Sequence, residues 1–273
     1  MSAVGFRNMI KIFARSRSLR LTADMVRQRR PTASLGHLRW SGRDIFYRSG
    51  TRDPFVLYQV LYRRGKKAEY YVPPVFRPKI ILDVGSNIGA SIIYFHQQFL
   101  EANIFGFEPH PDTFRILQKN VGHLRRVTIF NCGLGAVHER VAVPADKVHF
   151  GRFNVRGRFK DRGFPAGPVE CEVRRLDDVL REIGITQVDL IKIDCEGAEA
   201  EIFSTLPDEI LTHCRWIVGE LHDHTGFEVL ARLAPHFHLD LKKKMFRPRF
   251  RFHACNISKV EQLSRSDVDA LQR

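Results

Sequence analysis

Short apolar runs recur through the middle of the chain, each ended by glycine, proline or a charge, and most are followed by apolar positions at helical spacing. IILDV at 80–84 precedes a helical pattern over 91–100, NIFGF at 103–107 precedes one over 111–121, and the run at 127–131 has no long helix after it. Further on, the spacing predicts helices over 176–183, 198–206 and 227–233 and strands over 188–193 and 216–221. Near-continuous apolar strands suit a sheet buried on both faces, and their alternation with helices predicts parallel pairing. The end of the chain differs. Residues 237–242 and 250–257 alternate apolar and polar positions around the basic turn KKKMFRPR, which predicts an antiparallel hairpin closing the sheet. Upstream, DPFVLYQVLYRR at 53–64 predicts a helix and 72–78 a proline-rich approach to the first strand.

The first strand runs directly into a glycine-punctuated turn, IILDVGSNIG at 80–89. Gly85 and Gly89 permit tight backbone there, which is how α/β proteins seat nucleotide-like ligands. A dinucleotide site needs glycine at the second position of the fingerprint so that backbone touches the pyrophosphate. That position is Asn87. Asparagine tolerates left-handed backbone, yet its side chain crowds a pyrophosphate, so a phosphate-free ligand is favoured. S-adenosyl-L-methionine is one, and Asp83, Gly85, Asn87 and Gly89 match the acid-then-alternate-position spacing common in enzymes that use it. Glu108, where the next strand ends, can accept both hydroxyls of an adenosine ribose. The plainer alternative for Glu108 is a favourable charge near the helix opened by Pro111 and Asp112.

A second concentration of chemistry is VDLIKIDCEGAE at 188–199, where Lys192 and Asp194 share one strand face and Glu196-Gly197 turn into a helix. Charges in a buried strand need partners or a pocket. One reading is an ion pair between Lys192 and a carboxylate that holds the helix start; the other is a polar wall beside a reacting group. Glu220 and His222, in VGELHDH, fall at the end of the next strand and point the same way. Asp194, Glu220, His222 and His224 could approach one another around a metal, but methyl transfer needs none, so packed or solvated histidines are expected and no metal is assigned.

Taken in order, DVGSNIG at 83–89, FEPHP at 107–111, NCGLG at 131–135, RLDDVL at 175–180 and DLIKIDCEGAE at 189–199 resemble the FkbM-type S-adenosylmethionine-dependent methyltransferases over about residues 53–257. The resemblance implies an α/β class I methyltransferase (Rossmann-like) fold: a seven-stranded, mostly parallel sheet with a C-terminal antiparallel hairpin and helices on both faces. It also implies methylation of hydroxyl groups on sugars or natural products. Asp83, Gly85, Ser86, Asn87 and Gly89 would line the methionine and ribose side, Glu108 the ribose hydroxyls, and Asn131, Cys132 and Gly133 the adenine edge. Transfer to oxygen is an in-line displacement in which something must take the hydroxyl proton. Asp194, Glu196, Glu220 and His222 are the candidates, with Asp194 and His222 preferred and Lys192 in the same polar wall.

Composition adjusts this picture at its edges. The 273 residues, 44% hydrophobic, accommodate one methyltransferase domain over 51–258, a basic extension over 1–50, an insert over 145–168 and a tail over 259–273. Five cysteines without a C-x-x-C pair suit a reducing compartment, and no stretch approaches the roughly 20 apolar residues of a membrane span. A soluble, cytoplasmic protein is expected. Residues 1–30 carry eight Lys or Arg against Asp24, with Phe6, Met9, Ile10 and Phe13 on one helical face. A solvated extension is the first reading; contact with a membrane surface or an organellar transit segment are alternatives. In the insert, GRFNVRGRFKDRG places Arg152, Asn154, Arg156 and Arg158 among phenylalanines, which suits an anionic acceptor such as a nucleotide-linked, lipid-linked or acidic sugar. The formal charge of +14 admits RNA as a rival substrate. Amino-group RNA enzymes, however, usually carry Asn or Asp, then Pro-Pro-aromatic, where this chain has Asp194-Cys195-Glu196-Gly197. A noncatalytic binding module is the remaining rival; it gives no reason for Asp83, Glu108 and the Asp194 cluster to occur together.

Overall fold

The computed structural model describes residues 3–26, 34–73, 75–144, 168–222, 224–243 and 249–258. Two helices, α1 (Ala3–Ser16) and α2 (Leu19–Val26), lead into a hairpin of β1 (Leu35–Trp40) and β2 (Arg43–Arg48). A short helix α3 (Asp53–Leu57) follows and continues as one π-helical turn, Tyr58–Tyr62, so the helical pattern over 53–64 is realised in two pieces. Next come β3 (Ile80–Val84), α4 (Ala90–Gln98), β4 (Asn103–Phe107), α5 (Pro111–Val121) and β5 (Val127–Phe130). Three strands, β6 (Gly133–Gly135), β7 (Glu139–Pro144) and β8 (Pro168–Arg175), the last being the strand that leads to RLDD, form a separate small sheet. The chain then runs through α6 (Leu176–Glu182), β9 (Leu190–Ile193), α7 (Glu199–Ser204), α8 (Asp208–His213), β10 (Trp216–His222), α9 (Gly226–Leu233), β11 (Phe237–Lys243) and β12 (Arg249–Asn256).

The main sheet has seven strands in the order β11-β12-β10-β9-β3-β4-β5. β3 pairs in parallel with β4 and β9, and β9 with β10, while β12 runs antiparallel to both of its neighbours. This is the mostly parallel sheet with a closing hairpin expected from the apolar runs. Strand alternation sends residues to opposite faces. Ile81 and Ile104 join the core under α4 and α5, with Ile92, Phe95 and Leu117. Leu82, Val84, Ile191 and Ile193 face the other core with Val179, Ile202, Phe203 and Val229 from α6, α7 and α9. Strand order reverses between β3 and β9, and open α/β sheets bind ligands outside the strand ends at such a point.

The N-terminal hairpin belongs to this architecture although it precedes the boundary expected at residue 51. Leu38, Ile45 and Tyr47 lie in the same core as Leu57 and Ile88. Arg48 clamps the junction, with Nε 2.8 Å from Asp53 Oδ2 and Nη1 donating to Thr113 Oγ1 at 2.9 Å. Asn120 on α5 closes the contact, accepting from Phe46 N at 2.8 Å and donating to Phe46 O and Ile88 O. The strands are only six residues each, and buried positions alternate with exposed ones along β1 but not along β2. On α1, Ile10 and Phe13 are exposed, and no helix among the described residues is long and apolar enough to cross a membrane.

Candidate functional site

The turn after β3 is built by backbone that only particular residues accept. Gly85 and Gly89 have φ of +78° and +90°, and Asn87 between them sits at +50°. A Cβ on Gly85 would fall 2.1 Å from Asp194 O, so the turn can touch the end of β9 only through glycine. The turn is pinned to β4 because Gly85 N and Ser86 N both donate to Phe107 O, at 3.1 and 2.9 Å. From beneath, Lys192 donates to Val84 O at 3.0 Å and Gly85 O at 2.6 Å and pairs with Asp83 at 3.0 Å. Asp83 also accepts from Ser91 Oγ at 2.5 Å. Burial pulls the Lys192 ammonium down, but Asp83 and Asp194 outweigh it and leave its pKa above the ordinary value. Lys192 and Asp83 are both fully buried, in the ion-pair geometry that was one of the two readings of Lys192.

Glu108 faces this turn across the cleft. Its Oε2 accepts from Asn87 N and its Oε1 from His110 N, both at 3.0 Å. Burial raises its pKa to about 7, against the opposing effect of those bonds and of Arg48. Asn131 donates from its amide to Glu108 O and Pro109 O, at 2.9 and 3.1 Å, and so holds the β4 end in place. Gly133 and Leu134 line the cleft with Val84 and Phe107, whereas Cys132 packs into the core and burial pushes its thiol up to about 12. The result is an apolar slot with one acidic rim.

Opposite the slot, at the ends of β9 and β10, four carboxylates gather around one imidazole. Asp194 Oδ2 accepts from Tyr70 Oη at 2.8 Å. Glu196, at φ +53°, and Gly197, at φ +116°, turn the chain into α7. This places Glu199, fully buried, to accept from Cys195 N at 3.0 Å and Gly197 N at 3.3 Å. Glu199 Oε1 is also 2.8 Å from His222 Nδ1. The other ring nitrogen, Nε2, lies 3.5 Å from Glu196 Oε2, 3.8 Å from Asp194 Oδ1 and 3.9 Å from Glu220 Oε2. Arg249 on β12 meets Glu196 at 2.5 Å. Burial pulls the His222 pKa down, but the Glu199 hydrogen bond and the Asp194 and Glu196 charges outweigh it and raise it to about 9. Burial and Asp194 likewise raise Glu196. Such a group can take and hold a proton.

Of the residues expected from the sequence, Asp194, Glu196, Glu220 and His222 meet here, and Asp83 and Lys192 sit beneath the turn. His224 is exposed and outside the group. Arg152, Asn154, Arg156 and Arg158 lie outside the described residues. Glu199, Tyr70 and Arg249 were not singled out. Glu199 stands in the quoted segment DLIKIDCEGAE and Arg249 ends the basic turn, but Tyr70 has no local signal.

Comparison with known proteins adds the chemistry of relatives. The Methyltransferase FkbM domain family matches residues 83–252. "Methyltransferase sdnD" of Sordaria araneosa is 30% identical over 174 residues, covering 54% of this chain and 67% of its own. "2-O-methyltransferase NoeI" of Sinorhizobium fredii is 29% identical, covering 55% and 65%. "31-O-demethyl-FK506 methyltransferase FkbM" of Streptomyces tacrolimicus is 28% identical, covering 58% and 71%. Among solved structures, the Methanococcus jannaschii fibrillarin pre-rRNA processing protein is similar at 10% identity and a TM-score of 0.43, covering 82% of this chain and 83% of its own.

Proposed function

The chain belongs to the FkbM methyltransferase domain family, and from that premise we propose that it transfers a methyl group from S-adenosyl-L-methionine to a hydroxyl of a sugar, glycolipid or natural-product acceptor. One observation carries the reading: a single cleft joins the Asn87 turn and Glu108 on one side to Asp194, Glu196 and Glu220 on the other, with His222 buried against those carboxylates. The residues fit the donor. Asn87 in left-handed backbone crowds a pyrophosphate and tolerates a phosphate-free ligand, Glu108 accepts ribose hydroxyls, and Val84, Phe107 and Leu134 offer apolar surface to a purine. When bound, the donor supplies an electrophilic methyl on a sulfonium sulfur. The chain's own residues hold the ribose, align the acceptor oxygen and take its proton within the group of Asp194, Glu196, Glu220 and His222.

Oxygen is the favoured acceptor atom because the printed names of two relatives, a 2-O- and a 31-O-demethyl enzyme, describe transfer to oxygen. Amino-group methylation of RNA is disfavoured because Asp194-Cys195-Glu196-Gly197 stands in place of the Pro-Pro-aromatic turn. The charge of +14 supports an anionic acceptor. The test is kinetic. Asp194→Asn and His222→Gln should each lower kcat by about 10²–10⁴-fold while leaving the Kd for S-adenosylhomocysteine within a few-fold of wild type. Normal turnover in both variants would remove the assignment of the base.

A further inference from the structure

We propose that Asp194, Glu220 and His222 bind a divalent transition-metal cation of the Mn2+ type, which in turn takes the acceptor hydroxyl as a ligand. One ligand atom from each residue lies within 4.8 Å of the others. His222 Nε2 is 3.8 Å from Asp194 Oδ1 and 3.9 Å from Glu220 Oε2. Those gaps exceed an N–H···O hydrogen bond of about 2.7–3.2 Å. They are spanned by two metal bonds of about 2.0–2.2 Å each.

The independent observation is His222 itself. It is 5% exposed, and Nε2 is buried without a hydrogen-bond partner. Nδ1 is held by Glu199, which Cys195 N and Gly197 N fix in turn. A histidine that donates one N–H to a carboxylate has its tautomer set and the lone pair of its other nitrogen aimed outward, as in metal-ligating histidines. Here Nε2 is aimed at Asp194 and Glu220, and a cation bound there would replace the proton on that nitrogen. Asp194 is oriented in the same manner, because Tyr70 donates to Oδ2 while Oδ1 lies 3.8 Å from the imidazole Nε2.

Charge points the same way. Asp194, Glu196, Glu199 and Glu220 converge on the imidazole, with Arg249 on Glu196, Arg52 on the cleft wall and Lys192 near Asp194. Carboxylates gathered this closely repel one another, and a divalent cation among them offsets that repulsion. One imidazole nitrogen with two carboxylate oxygens suits Mn2+, Zn2+ or Fe2+ better than a softer ion. Asp194 and Glu220 both line the cleft, so the cation would face the acceptor. A hydroxyl bound to it loses its proton more readily. The proton passes to Glu196, the oxygen–methyl bond forms as the methyl–sulfur bond breaks, and neutral S-adenosylhomocysteine leaves.

The cation site stands without the methylation reading; the role given to the hydroxyl rests on it. The experiment uses full-length protein treated with EDTA and then titrated with Mn2+, following the free-ion electron paramagnetic resonance signal, with labelled-methyl transfer measured in parallel. Wild type should bind about one Mn2+ per chain, displaced by Zn2+. Asp194→Asn, Glu220→Gln and His222→Gln should each bind at least about tenfold more weakly. Thermal unfolding of each variant identifies any that fails to fold, and the remaining variants decide. Undiminished free Mn2+ signal with wild type, or wild-type binding by the folded variants, overturns the site. Mn2+ binding without methyl transfer to any hydroxyl acceptor supports the site and defeats the methylation reading. Transfer that survives EDTA with no Mn2+ bound does the reverse.

Discussion

Burial and the proposed ribose contact pull Glu108 in opposite directions. Removing its carboxylate from water raises its pKa to about 7, yet holding ribose hydroxyls as an acceptor requires the ionised form. The folded carboxyl keeps its proton more tightly than the unfolded one, so its contribution to stability is complete below about pH 4.5 and is lost as pH rises through about 7. Donor binding runs the other way. Calorimetry between about pH 6 and about pH 8 should show the affinity for S-adenosylhomocysteine rising with pH, and Glu108→Gln should bind more weakly with no such rise. An equal slope in the variant would contradict the ribose role. Asn87 and Glu108 were legible as single residues because each departs from what a dinucleotide site or a plain turn needs. The partners of His222 and Asp194 were not, since Glu199 and Tyr70 act on them across separations of 23 and 124 residues that no local pattern encodes.

At the scale of elements, β3 and β9 are joined by more than their ladder. Lys192 on β9 stands opposite Asp83 on β3 in register, and its ammonium caps two carbonyls of the turn that β3 enters. Removing one partner of a buried pair leaves an uncompensated charge. Lys192→Met should therefore lose about 3–5 kcal/mol in denaturant unfolding, and adding Asp83→Asn should restore part of it. A single variant as stable as wild type would show that the pair does not hold the turn. The main sheet was readable because each strand is a short apolar run stopped by glycine or a charge, and the closing hairpin because its period changes to two. The β6-β8-β7 sheet and the β1–β2 hairpin were not. Gly133–Gly135 is too short to carry a period, and the hairpin's place in the core depends on Arg48, Asp53 and Asn120 meeting across the fold.

The whole molecule carries a formal charge of +14, but its cleft carries the opposite sign at the ends of β9 and β10. In the proposed function, long-range attraction gathers anionic acceptors, while the local carboxylates act on a neutral hydroxyl within them. Such attraction is screened by salt, so a preference for anionic acceptors belongs to low ionic strength. The proposed reaction is methyl transfer from sulfonium to oxygen in this cleft. It is tested most directly by incubating the protein with methyl-labelled S-adenosylmethionine and matched neutral and phosphorylated sugar or glycolipid acceptors at low salt, then locating the label in the product. The account predicts a labelled O-methyl ether, formed preferentially on the phosphorylated acceptor. Label on nitrogen or carbon, or no transfer by protein that binds the donor, would contradict it.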